Sequence, residues 1–378
     1  MVLILRRRIL SLLLLTVLVL PRTAAYAEER GPAAMILYSP QTGTVLQALR
    51  PDEQMLIAST TKIMTALVVL EQCALHAQVE VSDEHTNIEG SSASLAAGET
   101  YTVEELLYGL MLASGNDAAC ALAEYTAGSI DAFADLMNEK AQALGLENTH
   151  FANPHGLNDP EHYSSARDLA LLTAAAMENP SFCEIFSARS YTTHGVEYVN
   201  HNKLLESCEG CLGGKTGYTR AAGRTLVSCV ERNGLRLICV TLNDPDDWDD
   251  HCRYYDNAFD AYEYLCFPEE SWKTLPVISG TETEVSLICP ISGTLLHRGA
   301  RIETRVELPR FVFAPVSAGD VLGHVTVLEN GKQQCSADIC AAASVARDDE
   351  ESLMPWRRFW KHWTQRSTGS FRSAEYFV

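Results

Sequence analysis

The chain has 378 residues, of which 47% are hydrophobic, 21% charged and 8% aromatic. That length suits two or three domains, and that composition excludes wholesale disorder. With 29 basic against 49 acidic residues the formal charge is −20, which repels phosphate backbones and argues against nucleic acid as a partner.

Residues 1–27 read as a signal peptide. Arg6, Arg7 and Arg8 precede an apolar run over 9–20, Pro21 breaks it, and Ala25-Tyr26-Ala27 gives an A-x-A cleavage site. Twelve residues of helix rise about 18 Å, short of a hydrocarbon core about 30 Å thick. No other segment is a long apolar run, so a polytopic membrane protein is excluded.

A first domain is expected over 28–268. Segments 34–38 and 44–48 read as a hairpin around Gln41-Thr42-Gly43. Segment 61–72 is apolar on most faces and reads as a buried helix. Helices are also expected over 103–112, 117–126, 130–144 and 167–177. Strands are expected over 223–230 and 235–242, around Arg232-Asn233-Gly234, and a closing helix over 256–265. Helices bracketed by hairpins imply an α+β fold whose first and last strands meet in one antiparallel sheet.

From 272 to 345 short alternating runs (284–288, 301–308, 321–328 and 334–339) predict a small all-β domain. Residues 350–378 form a basic, aromatic tail. Trp356, Phe359, Trp360 and Trp363 fall at i, i+3, i+4, i+7, with Arg357, Arg358 and Lys361 off that stripe. This is the pattern of an in-plane helix at an anionic membrane surface.

Three short motifs carry the chemistry. Ser59-Thr60-Thr61-Lys62 opens the buried helix, and its i, i+3 spacing puts hydroxyl and amine on one face. A lysine activates a serine only if burial and neighbouring cations lower its pKa. Ser114-Gly115-Asn116 lies between two helices, where a hydroxyl and an amide can relay a proton and hold a substrate amide. Lys215-Thr216-Gly217 follows Gly213-Gly214. Its glycines let a substrate backbone approach a strand edge, and its lysine and threonine offer a cation and a hydroxyl to a carboxylate. Each motif alone is weak; the ordered set is that of penicillin-recognising enzymes.

The chain resembles the low-molecular-mass penicillin-binding proteins, the serine-type D-alanyl-D-alanine carboxypeptidase family. Ala58-Ser-Thr-Thr-Lys-Ile-Met-Thr-Ala66, Ser114-Gly-Asn-Asp-Ala-Ala119, Asn148–Leu157 and Gly214-Lys-Thr-Gly-Tyr-Thr219 carry the likeness. It implies a transpeptidase-like domain, a small β domain and an amphipathic tail. It also implies a two-step acyl transfer on a peptidoglycan stem peptide, inhibited covalently by β-lactams, with no metal or cofactor. Ser59 would be the nucleophile, Lys62 its base and Ser114 the proton shuttle, with Lys215 beside it. Asn116, Lys215, Thr216 and Gly217 would bind substrate, with Arg253 helping Thr216 at the terminal carboxylate, and the backbone N–H groups of Ser59 and Tyr218 would form the oxyanion hole. The implied location is the outer face of the bacterial cytoplasmic membrane.

A class A β-lactamase shares the three motifs, but no E-x-x-L-N stands between Asn116 and Lys215 to activate a deacylating water. The motif set also suits a D,D-endopeptidase acting on cross-links or a catalytically weak wall-binding module. Cys208-Glu-Gly-Cys211 could be a disulfide or free thiols, and Cys335 and Cys340 could pair. Cys73, Cys120, Cys229 and Cys239 lie on apolar stretches and read as core residues. His155 reads as structural, and 244–250 as a solvated acidic loop.

Overall fold

The computed structural model describes residues 31–265, 273–289 and 293–348. The expected signal peptide, the tail over 350–378 and the junction between the two expected domains lie outside the described residues.

Strand β1 (Ala34–Ser39) turns through Gly43, at φ +66°, into β2 (Thr44–Leu49). The chain rejoins this sheet as β3 (Cys211–Thr219), β4 (Gly223–Arg232) and β5 (Leu235–Leu242). The order is β2-β1-β5-β4-β3, antiparallel throughout, and β1 meets β5 with Ile36 opposite Val240. Side chains alternate across it. Ala34, Ile36, Ile238 and Val240 enter one core; Met35, Leu37, Leu237 and Cys239 enter the other.

The larger core is filled by α1 (Lys62–Gln72), α2 (Val103–Met111), α3 (Asn116–Ala127), α4 (Ile130–Ala143), α5 (Ala166–Ala176) and α6 (Pro180–Ser187). Lys62 to Val69 are buried without a break, which makes α1 the central helix and explains its all-round apolar sequence. Hydroxyl caps set the starts of its neighbours: Thr102 with Glu105 for α2, Ser129 for α4 and Ser165 for α5. Helix α7 (Asp247–Ala261) covers the other face through Tyr255 and Phe259.

The chain then forms β6 (Tyr262–Leu265), β7 (Lys273–Ile278), β8 (Glu284–Ile288), β9 (Thr294–His297), β10 (Ile302–Glu307), β11 (Val312–Phe313), β12 (Val321–Glu329) and β13 (Lys332–Ala341). Six of these make a sheet in the order β10-β12-β13-β8-β7-β11, over a core of Leu275, Leu287, Val325 and Ile339. β6 pairs with β9, Tyr262 opposite His297. Among the described residues no helix is long and apolar enough to cross a membrane.

Two expectations need correction. The helix predicted over 256–265 begins at Asp247 and stops at Ala261. Asp247, Asp249 and Asp250 fill its first turn, where carboxylates meet the positive end of the helix dipole, while Tyr262 and Tyr264 go into a strand ladder. The acidic run over 244–250 is therefore not a solvated loop: Asp244, Asp247 and Asp250 are all buried. Burial and the nearby Asp250 push the Asp244 carboxyl up to about 6. The eleven described cysteines are unbridged. Cys335 and Cys340 share β13 at an odd spacing, so their side chains leave opposite faces.

Candidate active site

Ser59 sits in a 3₁₀ turn (Ala58–Thr61) that runs directly into α1. Hydroxyls pin this turn. Thr60 Oγ1 donates to the Ile57 carbonyl (2.7 Å), Thr61 Oγ1 to the Ala58 carbonyl (2.8 Å), and Thr225 Oγ1, from β4, also to Ile57 (3.1 Å). Ala58 is held at φ +48°, outside the usual range for a residue with a Cβ. Behind it packs Gly156, where a Cβ would lie 1.9 Å from the Ala58 carbonyl oxygen. On the other side a Cβ at Gly217 would lie 2.9 Å from the Ser59 nitrogen. The Ser59 backbone is thus closed in from both sides by glycines.

The Lys62 ammonium group is enclosed, with no solvent exposure. Its Nζ reaches Ser59 Oγ at 3.1 Å, Asn116 Oδ1 at 2.7 Å and the His155 carbonyl at 2.8 Å. Burial first, and the Lys215 charge second, hold its pKa well below the usual lysine value. Burial also depresses His155 to about 3 and His162 to about 4, so neither imidazole is cationic near neutrality. The His155 ring accepts from the Leu157 N–H (3.2 Å), in keeping with its reading as a structural residue.

The second motif is a strained loop end. Ser114 stands at φ +58°, and a Cβ at Gly115 would meet Asp117 Oδ1 at 2.5 Å and Ala93 at 2.8 Å. The buried Asp117 carboxylate ties this loop to the next. It accepts from the Ser92 hydroxyl (2.6 Å) and from the backbone N–H groups of Ala93 (2.8 Å), Leu95 (3.3 Å) and Ala118 (2.9 Å). Asn116 Nδ2 donates to the Glu89 carbonyl at 2.6 Å, which orients its Oδ1 toward Lys62.

The third motif lies on β3. Lys215 Nζ donates to Ser114 Oγ (3.0 Å) and to the Thr216 carbonyl (2.9 Å), and burial pushes its pKa down to about 7. Two Lys–Ser pairs, Lys62 with Ser59 and Lys215 with Ser114, therefore present their hydroxyls to one cleft, with Asn116 bonded to Lys62. Ser59, Ser114, Thr216, Gly217 and Tyr218 line a cleft of ≈480 Å³. Its remaining wall is Ser91, His201, Arg224, Asp247 and Trp248, none of which the sequence motifs include. Arg253 is not brought to this cleft. It stands further along α7 with Nη2 on Asp250 Oδ1 (2.7 Å), and Arg224 occupies the rim instead.

A helix-backed antiparallel sheet whose edge strand closes on a Ser–Lys pair is the scaffold of the serine acyl-transfer enzymes that recognise penicillin. Sequence comparison narrows the class: the profile of the D-alanyl-D-alanine carboxypeptidases matches residues 22–246, and the chain belongs to that family of serine-type hydrolases. It is 30% identical over 365 residues to D-alanyl-D-alanine carboxypeptidase DacF of Bacillus subtilis, covering 89% of this chain and 94% of the relative. It is 32% identical to DacA of Haemophilus influenzae, over 80% of this chain and 82% of that one. Penicillin binding protein 5 of Haemophilus influenzae superposes with a TM-score of 0.68 at 29% identity, over 84% of this chain and 98% of that chain. A peptidoglycan synthesis regulatory factor (PBP3) of Streptococcus pneumoniae gives 0.69 at 26% identity, over 83% and 99%. Both superpositions extend past the first domain into the β domain.

Proposed function

We propose that the chain removes the terminal D-Ala from peptidoglycan stem pentapeptides through an acyl-enzyme on Ser59. The observation that carries this reading is the buried Lys62 amine, lowered in pKa and 3.1 Å from Ser59 Oγ. Neutral Lys62 takes the Ser59 proton as Oγ attacks the carbonyl between the two D-alanines. The backbone N–H groups of Ser59 and Tyr218 stabilise the tetrahedral oxyanion. Ser114, hydrogen-bonded to Lys215, gives its proton to the departing amine and takes the one held by Lys62, so terminal D-Ala leaves and Lys62 is neutral again. Water then attacks the ester, Lys62 takes its proton and hands it to Ser59 Oγ as the acyl bond breaks, and Ser59 is restored. Asn116 orients the acyl-side peptide, and Thr216 with Gly217 receives the leaving residue at the edge of β3. β-Lactams acylate the same serine. Export by residues 1–27 and membrane contact by residues 350–378 complete the reading and place the enzyme on the outer face of the cytoplasmic membrane.

The test is to incubate the purified protein separately with diacetyl-L-Lys-D-Ala-D-Ala, a cross-linked muropeptide and penicillin. D-Ala release and a penicilloyl adduct on Ser59 are expected. Absence of both contradicts the reading; cleavage of the cross-link alone makes the protein an endopeptidase. For the tail, changing Trp360 and Trp363 to Ser is expected to reduce flotation with anionic liposomes, and unchanged flotation counts against the membrane role.

A further inference from the structure

The cleft needs a cation that a carboxylate can reach, and neither lysine supplies one. Lys62 and Lys215 are buried, with Lys62 hydrogen-bonded to three protein oxygens and Lys215 to two. Arg224 is different. It lies directly across the ladder from Tyr218, while Thr216 pairs with Leu226 two residues on. Paired residues of an antiparallel ladder share a face, so the Arg224 and Thr216 side chains emerge on the same face as diagonal neighbours. The Arg224 side chain is 39% exposed, whereas its partner Asp247 is only 3% exposed.

The guanidinium is also held in place. Asp247 Oδ1 accepts from Nη2, and the Trp248 ring centroid lies 5.5 Å from Cζ. Asp247 takes one of five N–H donors, and the planar fork can serve a second carboxylate on another edge. Asp247 and Trp248 open α7, so the fold fixes the arginine from an element outside the sheet. We propose that Arg224 binds the C-terminal carboxylate of the peptide together with Thr216, with Asp247 and Trp248 as positioning residues. The assignment rests on the carboxypeptidase reading and names the group that makes the enzyme prefer a chain end.

The purified full chain is given diacetyl-L-Lys-D-Ala-D-Ala and the same peptide as its C-terminal carboxamide. The readout is the ratio of kcat/KM for acid over amide, which does not depend on the fraction of enzyme that is folded. Charge-assisted hydrogen bonds of this kind are worth about 10- to 100-fold, so Arg224→Gln is expected to lower the ratio by that factor. Arg224→Lys keeps the charge without the fork and is expected to fall between. Asp247→Asn is expected to shift the ratio in the same direction, chiefly through a higher KM for the acid. A ratio in Arg224→Gln within twofold of the parent overturns the proposal. If the parent releases neither D-Ala from the acid nor D-alaninamide from the amide, the carboxypeptidase reading itself fails and the assignment falls with it.

Discussion

Gly156→Ala is expected to silence Ser59 without touching a reacting group. The new Cβ would lie 1.9 Å from the Ala58 carbonyl oxygen, 2.4 Å from its carbon and 2.8 Å from Thr61 Oγ1. Two of these atoms are backbone, so no side-chain rotation relieves the contact. Ordinary contact begins near 3.4 Å, so the 3₁₀ turn must retreat by about 1–1.5 Å. Ser59 follows Ala58 directly, and its Oγ already stands 3.1 Å from Lys62 Nζ. A displacement of about 1 Å at a reacting atom costs on the order of 100-fold in rate. The rate of acylation by a fluorescent penicillin should therefore fall about 100-fold. Alanine at φ +88° also costs about 1 kcal/mol of stability. Gly98→Ala separates the two effects, because Gly98 has φ +81° but no atom within 4 Å of its Cβ position. That variant should lose similar stability and acylate within twofold of the parent. Parental acylation in Gly156→Ala, or equal slowing in Gly98→Ala, would refute the clamp.

Four further outcomes follow from the same geometry. Acylation needs neutral Lys62, whose pKa burial and Lys215 hold well below 10.5; kcat/KM should rise with pH through that lowered value, and Lys62→Arg, a permanent cation, should abolish acylation at every pH. Lys215 is lowered to about 7 in the fold, so between about pH 7 and 10.5 the unfolded chain binds the extra proton. Its contribution to stability is therefore complete above the unfolded value and lost as pH falls through about 7, a slope of at most about 1.4 kcal/mol per pH unit. Urea unfolding at several pH values should show that slope minus the slope of Lys215→Met, and parallel curves would contradict it. Asp117→Ala strands four donors and should cost about 3 kcal/mol or more by urea unfolding; a loss under about 1 kcal/mol would deny the carboxylate its tethering role. Arg253→Gln should leave peptide kcat/KM within about twofold while lowering stability, since its partner Asp250 is buried; a tenfold loss of activity would return Arg253 to the site.

What the sequence disclosed and what it hid divide along contact order. Ser59 and Lys62 share a helical turn, Ser114 and Asn116 share a loop, and Lys215 to Gly217 share a strand. Each group carries its geometry in its spacing, so helix and strand periods suffice to read it. The hairpin of β1 and β2 and the apolar α1 were legible for the same reason. The rim was not. Arg224 stands diagonal to Thr216 only through the register of β3 on β4, and Asp247 reaches Arg224 only because α7 packs across that sheet. Composition pointed the wrong way there. A run of aspartates reads as solvated, yet a helix start and a facing arginine accommodate Asp247 with its side chain 3% exposed.

Arg253 shows the same limit from the other side. Arg253 shares α7 with Asp247, but two residues six apart lie on different faces of a helix. Asp247 is turned to Arg224, while Arg253 pairs with Asp250. A one-register shift of β4 against β3 would turn Arg224 away from Thr216 while leaving all three motifs intact. On the roles proposed above, catalytic competence and preference for a chain end are specified by different parts of this chain. The first lies within short windows; the second depends on how one ladder is aligned.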